Sequence, residues 1–422
     1  MTTALDRPIL SHTTPVGVVV RPAGVPAPVA AKRSAPHVTT AKLQLSTKAA
    51  ALVLRSARTS GPVFRDDAAA LTGLSISTVN RQVSALLKAG LIRERADLTP
   101  PGAVGRPRVP FEINTDGFLT IGIHIGYKVT SITTHDLAHR VAGAIAIPTP
   151  QAETPEEVVA QIGASARRFA DRWVGKRLLW AGVALGGRVS DGGFVDHPRL
   201  DWKGVPVGSV IAEALGLPVS VASHVEAMAA AEQVVSPADQ SQNFLYFYAR
   251  EMVGIAFSVD GAVHTPAAGP PTIGHFPSGA TTLLDPDNTG RLEPTVSDSG
   301  VLYAAQKAGL DVESLDDLRT AARTGNTIAN DILTERAEVL GRTVALMSDI
   351  FNPDHVILGG QAFTDYPEAL PAVSKSLRAT TVLTQRDVRV ARSAITVQQK
   401  AAGAVALDEI YADPLDALSY TA

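Results

Sequence analysis

The sequence predicts an α/β protein in two parts: a small three-helix domain with a two-stranded wing, then a large α/β body built from two related halves. Three observations carry this. The 422 residues exceed what one core serves, since a domain takes roughly 150 residues. Charge is divided along the chain, with 15 Lys+Arg against 6 Asp+Glu in residues 1–115 and 23 against 35 in the remainder, inside a net charge of only -3. Hydrophobic spacing changes at Thr115-Asp116-Gly117, from short helical faces before it to strands alternating with helices after it.

In chain order, residues 1–40 carry Pro8, Pro15, Pro22, Pro26, Pro28 and Pro36 without a hydrophobic period and are expected to form a flexible tail. Residues 41–115 form the first domain. Leu43, Leu45, Ala49, Leu52, Val53 and Leu54 give one helical face that ends at Ser60-Gly61-Pro62. A second helix covers Asp66–Leu71, and Thr72-Gly73-Leu74-Ser75 is a tight turn. A third helix, capped by Ser75 or Ser77, runs to Ala89 with Val79, Val83, Leu86 and Leu87 inside, and Gly90 closes it. Strands Leu91–Arg95 and Val109–Ile113 flank the loop Pro100–Arg108.

Residues 116–422 read as strands Phe118–Ile125, Val129–His135 and His139–Pro148, helix Pro155–Trp173, strand Leu178–Gly186, helix Ser209–Leu215, strand Val219–Ala222 and helix Val225–Val234. The order returns: strands Phe244–Tyr248, Gly254–Val259 and Ala262–Thr265, helices between Val296 and Ile350, strand His355–Leu358, helix Pro367–Ala379, strand Val388–Ala394 and helix Gln398–Ile410. Two related halves imply a cleft between them.

Composition narrows the classes. Hydrophobic residues at 45% and charged residues at 19% are enough for large cores, so wholesale disorder is excluded. Zero cysteines exclude disulfides, thiolate zinc sites and cysteine nucleophiles. No run approaches ~18 apolar residues and no secretory signal pattern opens the chain, so a cytoplasmic protein without a membrane partner is expected.

Helix, glycine turn, helix at this length is the helix-turn-helix arrangement, whose second helix enters the major groove of DNA. The residues it would present are Ser77, Thr78, Asn80, Arg81 and Gln82. Arg pairs bidentately with guanine, and Asn or Gln with adenine, so this set can read bases. The Gly105-Arg106-Pro107-Arg108 wing tip suits insertion of Arg106 or Arg108 into a minor groove. Exposed charge usually only solvates a domain. Here a base-reading set, a basic wing and the charge asymmetry coincide, which points to double-stranded DNA.

The chain as a whole resembles the ROK family (repressors, open reading frames and kinases), in the branch with a winged helix-turn-helix before a sugar-kinase-like domain. The carriers are Leu74-Ser75-Ile76-Ser77-Thr78-Val79 and Gly105-Arg106-Pro107 in front. In the body they are Gly122-Ile123-His124-Ile125-Gly126, Gly182-Val183-Ala184-Leu185-Gly186-Gly187, Leu200-Asp201-Trp202, Ser223-His224-Val225-Glu226-Ala227, Ile273-Gly274-His275, Gly290-Arg291-Leu292-Glu293 and Leu358-Gly359-Gly360. The resemblance covers about residues 43–412 and implies a two-lobed actin/hexokinase (ribonuclease H-like) body. It also implies that the body holds an effector and serves oligomerisation.

Departures from the family's kinases decide the expected activity. Their first strand ends Asp-Ile-Gly-Gly-Thr, where this chain has His124-Ile125-Gly126-Tyr127-Lys128. Their second phosphate loop is glycine-rich, where Ala249-Arg250-Glu251-Met252-Val253-Gly254 stands. Their catalytic Asn-Asp pair is Ser223-His224. Phosphoryl transfer depends on positioning nucleotide, metal and nucleophile together, so no catalytic residue and no cofactor is expected. The family's zinc cysteines are replaced by Leu284, Pro286 and Arg291, and a lone His275 makes no structural zinc site, so no metal is expected.

The resemblance makes His275 and Glu293 sugar contacts. It places Gly187, Arg188, Ser223, His224 and Glu226 around the same cleft, although the helix carrying Glu226 is mostly core packing and Arg188 or Glu293 can equally be solvated. The expectation is a non-enzymatic regulator of carbohydrate genes, a repressor, bound to a palindromic operator as a homodimer or homotetramer and released by a sugar or sugar phosphate. An active sugar kinase with a DNA-binding appendage, and a regulator controlled by a protein partner, are the alternatives.

Overall fold

The computed structural model describes residues 37–99, 108–235, 243–266, 268–383, 387–391 and 396–421. The first difference from the sequence reading precedes the first helix. Val38–Thr40 forms β1, which pairs in parallel with β11 (Val219–Ser223), although a tail to residue 40 was expected. These β-branched residues suit a strand once an open sheet edge offers partners. The rest of the expected tail, residues 1–36, lies outside the described residues.

Helix α1 (Ala49–Ser60) starts six residues later than Leu43, because Leu43 has φ +49 and is buried against the body, not the head. Helices α2 (Arg65–Thr72) and α3 (Ile76–Lys88) follow. Gly73 between them has φ +69 and its N–H bonds the Ala69 carbonyl, a left-handed cap that glycine adopts without cost. Ser75 caps α3 by accepting the Thr78 N–H at 3.2 Å. Val53, Leu54, Ala57, Ala68, Val79, Val83 and Leu86 form the core of the head, closed by Ile92 and Phe111 of the antiparallel pair β2 (Ile92–Glu94) and β3 (Phe111–Ile113).

The body begins with β4 (Phe118–Ile125), β5 (Val129–His135), β6 (Val141–Pro148), helix α4 (Pro155–Ala170), β7 (Arg177–Leu185), a small sheet of β8 (Arg188–Ser190), β9 (Phe194–His197) and β10 (Trp202–Val205), then α5 (Val207–Leu215) and β11. Thr154 and Glu157 cap α4 reciprocally, with Pro155 in its first turn. The first lobe's sheet runs β1-β11-β7-β4-β5-β6. After α6 (His224–Val235) the second lobe has β12 (Phe244–Ala249), β13 (Val253–Val259), β14 (Ala262–Val263), α7 (Leu292–Val296), α8 (Asp298–Lys307), α9 (Leu315–Arg323), α10 (Thr327–Phe351), β15 (His355–Gly359), α11 (Gln361–Thr364), α12 (Leu370–Thr380) and β16 (Asp387–Val390), its sheet ordered β14-β13-β12-β15-β16.

The lobes thus share one pattern: an antiparallel hairpin set, then two parallel strands added on the other side of its first strand. Strand β1 is an addition to it. Helix α13 (Val397–Ala412) returns to the first lobe and α14 (Pro414–Ala417) follows it. A Cβ on Gly182 would stand 2.2 Å from the Ala406 nitrogen, so α13 approaches β7 only because that position is glycine. Between the lobes Ala184, Ala222, Val225, Met228, Tyr246, Tyr248, Ile357, Ala401 and Val405 form a shared apolar cluster.

Candidate functional site

Two sites arise from this architecture. On the head, Val79, Val83 and Leu86 turn the apolar face of α3 inward, which leaves Ser77, Asn80 and Arg81 exposed and Thr78 and Gln82 half-exposed. Arg81 has no ion pair among the described residues. The Thr78 hydroxyl lies 2.9 Å from Ser75 Oγ and shares in the helix cap.

Much of the head's basic charge is spent internally, which composition did not reveal. Arg93 pairs with Glu112 and Asp116, Arg95 with Asp97 and Glu112, and Arg65 with Glu94. Arg108 is exposed, bonded to Asp66 and laid over the Phe64 ring at 5.3 Å, so a phosphate would have to displace Asp66. Arg106 lies outside the described residues.

The second site is the cleft. Ser223 ends β11 and is buried, and His224 opens α6. The His224 ring stacks on His124 of β4, with centroids 5.8 Å apart and planes 13° apart, and lies 5.4 Å from the Tyr248 ring. Both Nε2 atoms are buried without a hydrogen-bond partner among the described residues. Burial, helped by Arg250, lowers His124 to about 4, and burial, then His124, His197 and Arg250, lowers His224 to about 3. Both rings are therefore neutral near pH 7, where the resemblance implies carboxylates in the family's kinases. Glu226, buried on α6, is pushed up to about 7 by burial.

Glu293 stands in the first turn of α7. Its Oε2 accepts the Val253 N–H at 3.3 Å and its N–H donates to the Gly274 carbonyl at 2.9 Å. The backbone thus sets His275 next to Glu293, with the His275 side chain exposed. Glu293 Oε1 accepts from Arg199 Nη2 at 3.1 Å, and Arg199 also donates to the Glu251 carbonyl at 3.1 Å. Arg199 follows β9 in the first lobe, whereas Glu251 and Glu293 belong to the second, so the guanidinium bridges the cleft. Gly187 has φ +89 and a Cβ there would lie 2.2 Å from the Asp196 oxygen. Arg188 is exposed and held by Asp196 at 2.8 Å.

Sequence reasoning missed Arg199, His197 and Tyr248 as cleft residues, and treated His124, Arg250 and Glu251 only as departures. No local signal marks Arg199, because its partners lie 52 and 94 residues away in sequence. Among the described residues no group of three or more His, Cys, Asp or Glu is arranged to hold a metal ion. Leu284, at one former cysteine position, is buried in the second lobe's core, so the donor set does not fit zinc. No helix among the described residues is long and apolar enough to cross a membrane.

A winged helix-turn-helix fixed to a two-lobed body with a polar cleft is the build of a transcriptional regulator. The chain belongs to the ROK family, whose model matches residues 120–409. It is 49% identical over 402 residues, 92% of this chain and 91% of the relative, to "Transcriptional regulator Rv0485" of Mycobacterium tuberculosis. It is 24% identical over 335 residues, 74% of this chain and 82% of the relative, to the "Xylose repressor" of Caldicellulosiruptor bescii. Its fold matches the crystal structure of a ROK family transcriptional regulator described as a homolog of the E. coli MLC protein. That match has a TM-score of 0.75 at 22% identity and covers 89% of this chain and 98% of that one.

Proposed function

We infer that the chain is a cytoplasmic repressor that binds a palindromic operator as a homodimer or homotetramer and leaves it when a sugar or sugar phosphate enters the cleft, and that it transfers no phosphoryl group. The observations behind it are the exposed base-reading face on α3 and, between the lobes, Glu293 as a hydroxyl acceptor and the neutral His124–His224 stack. Ligand preference for one lobe arrangement then sets how far operator affinity falls. The reading takes the tail as 1–40 less β1, the head as 41–115 and the effector domain as 116–422. It assigns DNA contact to Ser77, Thr78, Asn80, Arg81, Gln82, Arg106 and Arg108, and ligand contact to Gly187, Arg188, Ser223, His224, Glu226, His275 and Glu293. The xylose repressor among the relatives supports a sugar effector.

A thermal-shift screen with hexoses, pentoses, amino sugars and their phosphates tests the effector class. A ligand at 100 times its Kd should stabilise the protein by about 2.7 kcal/mol. Absence of any shift, and of any effect on DNA binding, would remove the reading. Arg81→Ala should cost ~1–3 kcal/mol at one base pair in fluorescence-anisotropy titrations of single-position operator variants, while other positions hold their ranking. A uniform loss across all sequences would make Arg81 a backbone contact. Sugar-dependent ATP turnover should be absent, and turnover abolished by His224→Ala would establish a kinase instead.

A further inference from the structure

We propose that residues 37–48 are a strap that carries the relative position of the two lobes to the DNA-reading helices, with Asp408 as its pivot. This rests on reading the cleft as the effector site. The segment is stitched to the first lobe by the Val219 N–H bond to the His37 carbonyl and the Ala41 N–H bond to the Val221 carbonyl, both 3.0 Å. It then crosses to the second lobe, where Leu45 N–H bonds the Gly261 carbonyl at 3.0 Å and Val263 N–H bonds the Leu43 carbonyl at 3.1 Å. Between the two stitches Asp408 Oδ2, on α13, accepts both the Lys42 and Leu43 N–H groups, at 2.9 and 3.1 Å. Lys48 pairs with Asp413, and the next residue starts α1.

Geometry makes this segment short. Ala41 and Leu43 are buried and Lys42 and Gln44 exposed, with a left-handed bend at Leu43 between the two stitches. A fully extended chain spans at most ~3.3–3.6 Å per residue, so the few residues between the two stitches can lengthen only by straightening the bend at Leu43, and no further, when the lobes rotate. Either one stitch breaks or the strap moves, and its far end is the first helix of the head. Leu43 stays at φ +49, an unusual conformation for a branched residue, because its burial and the Asp408 bond hold it there. Helix α1 and the C-terminal helices share one apolar cluster, with Val53, Leu54 and Ala57 against Leu407, Ile410 and Ala417, so a movement pivoting on α13 reaches the head through packing as well.

The test uses the full chain, a duplex selected by that chain from a random library, and the sugar giving the largest thermal shift. Gln44 and Ala262 are opposed as the non-hydrogen-bonded pair of an antiparallel bridge, a position where Cα atoms lie about 4.5 Å apart, and the chain has no cysteine to interfere. Oxidised Gln44→Cys/Ala262→Cys keeps the second-lobe stitch closed, so the strap must follow that lobe: the oxidised form should still bind the duplex but release it at a lower sugar concentration than the reduced form, and reductant should restore the original concentration. Release by the same sugar concentration in the oxidised and reduced forms would overturn the strap. Asp408→Ala should weaken duplex binding about fivefold or more without sugar, with Asp408→Asn recovering most of it. If the unaltered chain shows no sugar response, the effector reading fails. The strap then stands or falls on Asp408→Ala alone, and an unchanged duplex affinity overturns it.

Discussion

Glu293→Ala is expected to raise the ligand concentration for half-saturation about 5- to 150-fold, with operator affinity in the absence of ligand unchanged. The carboxylate is fixed before ligand arrives, by the Val253 N–H on one oxygen and the Arg199 guanidinium on the other. A sugar hydroxyl donating to it meets a preorganised acceptor and spends little on ordering. Removing the acceptor leaves that hydroxyl desolvated and unpaired, which is where the loss of about 1–3 kcal/mol arises. Isothermal titration with the best sugar from the screen measures it.

Arg199→Ala separates direct contact from the ion cluster. It keeps the hydroxyl acceptor and removes only the bridge from the first lobe to Glu251 and Glu293, an exposed arrangement of small worth in itself. Its effect on ligand affinity should fall well short of that of Glu293→Ala. Equal losses from the two substitutions would assign the effect to the bridge, and an unaltered affinity in Glu293→Ala would take Glu293 out of the site.

The features legible in the sequence are those set by local chemistry. Gly73 and Ser75 announce the turn and cap of α3 because a left-handed residue and a hydroxyl acceptor are needed within three positions. The repeated hairpin-helix-strand order of the body is legible because buried strands and amphipathic helices have different periods. What was not legible is set by partners remote in sequence. Val38–Thr40 is too short and too close to Pro36 to read as a strand, and only the edge of β11, some 180 residues on, makes it one. Leu43 and Leu45 continue the apolar spacing of α1, so the helix was read too early. Leu43 is buried against the body and Leu45 is tied to it through its backbone N–H, which no helical period distinguishes from burial in the head. In the cleft, the loss of carboxylates at His124 and His224 was visible, but the burial that keeps both rings neutral, and their stacking, were not.

Glu226→Gln is expected to stabilise the protein progressively between pH 4.5 and 7 relative to the unaltered chain, by about 3 kcal/mol at the upper end. Burial raises the Glu226 carboxyl from 4.5 to about 7, so between those values the folded chain holds a proton that the unfolded chain has lost. The stability this group contributes is fully present below 4.5 and is lost as pH rises through 7. Each pH unit of that window is worth 1.36 kcal/mol, which gives the size. Asp408, raised to about 7 mainly by burial, slopes the same way. The enclosed histidines slope oppositely: His124 and His224, held neutral down to about 4 and 3, add stability as pH climbs toward 6.5. The stability curve of the unaltered chain therefore mixes both signs, and the difference between variant and unaltered chain isolates Glu226. Urea titrations followed by tryptophan fluorescence at pH 4.5, 5.5, 7 and 8 suffice, since Trp173, Trp180 and Trp202 all report on the first lobe, to which α6 is attached. A difference independent of pH would mean that Glu226 ionises in the fold as it does in water, and its carboxyl would then be reaching solvent through an open cleft.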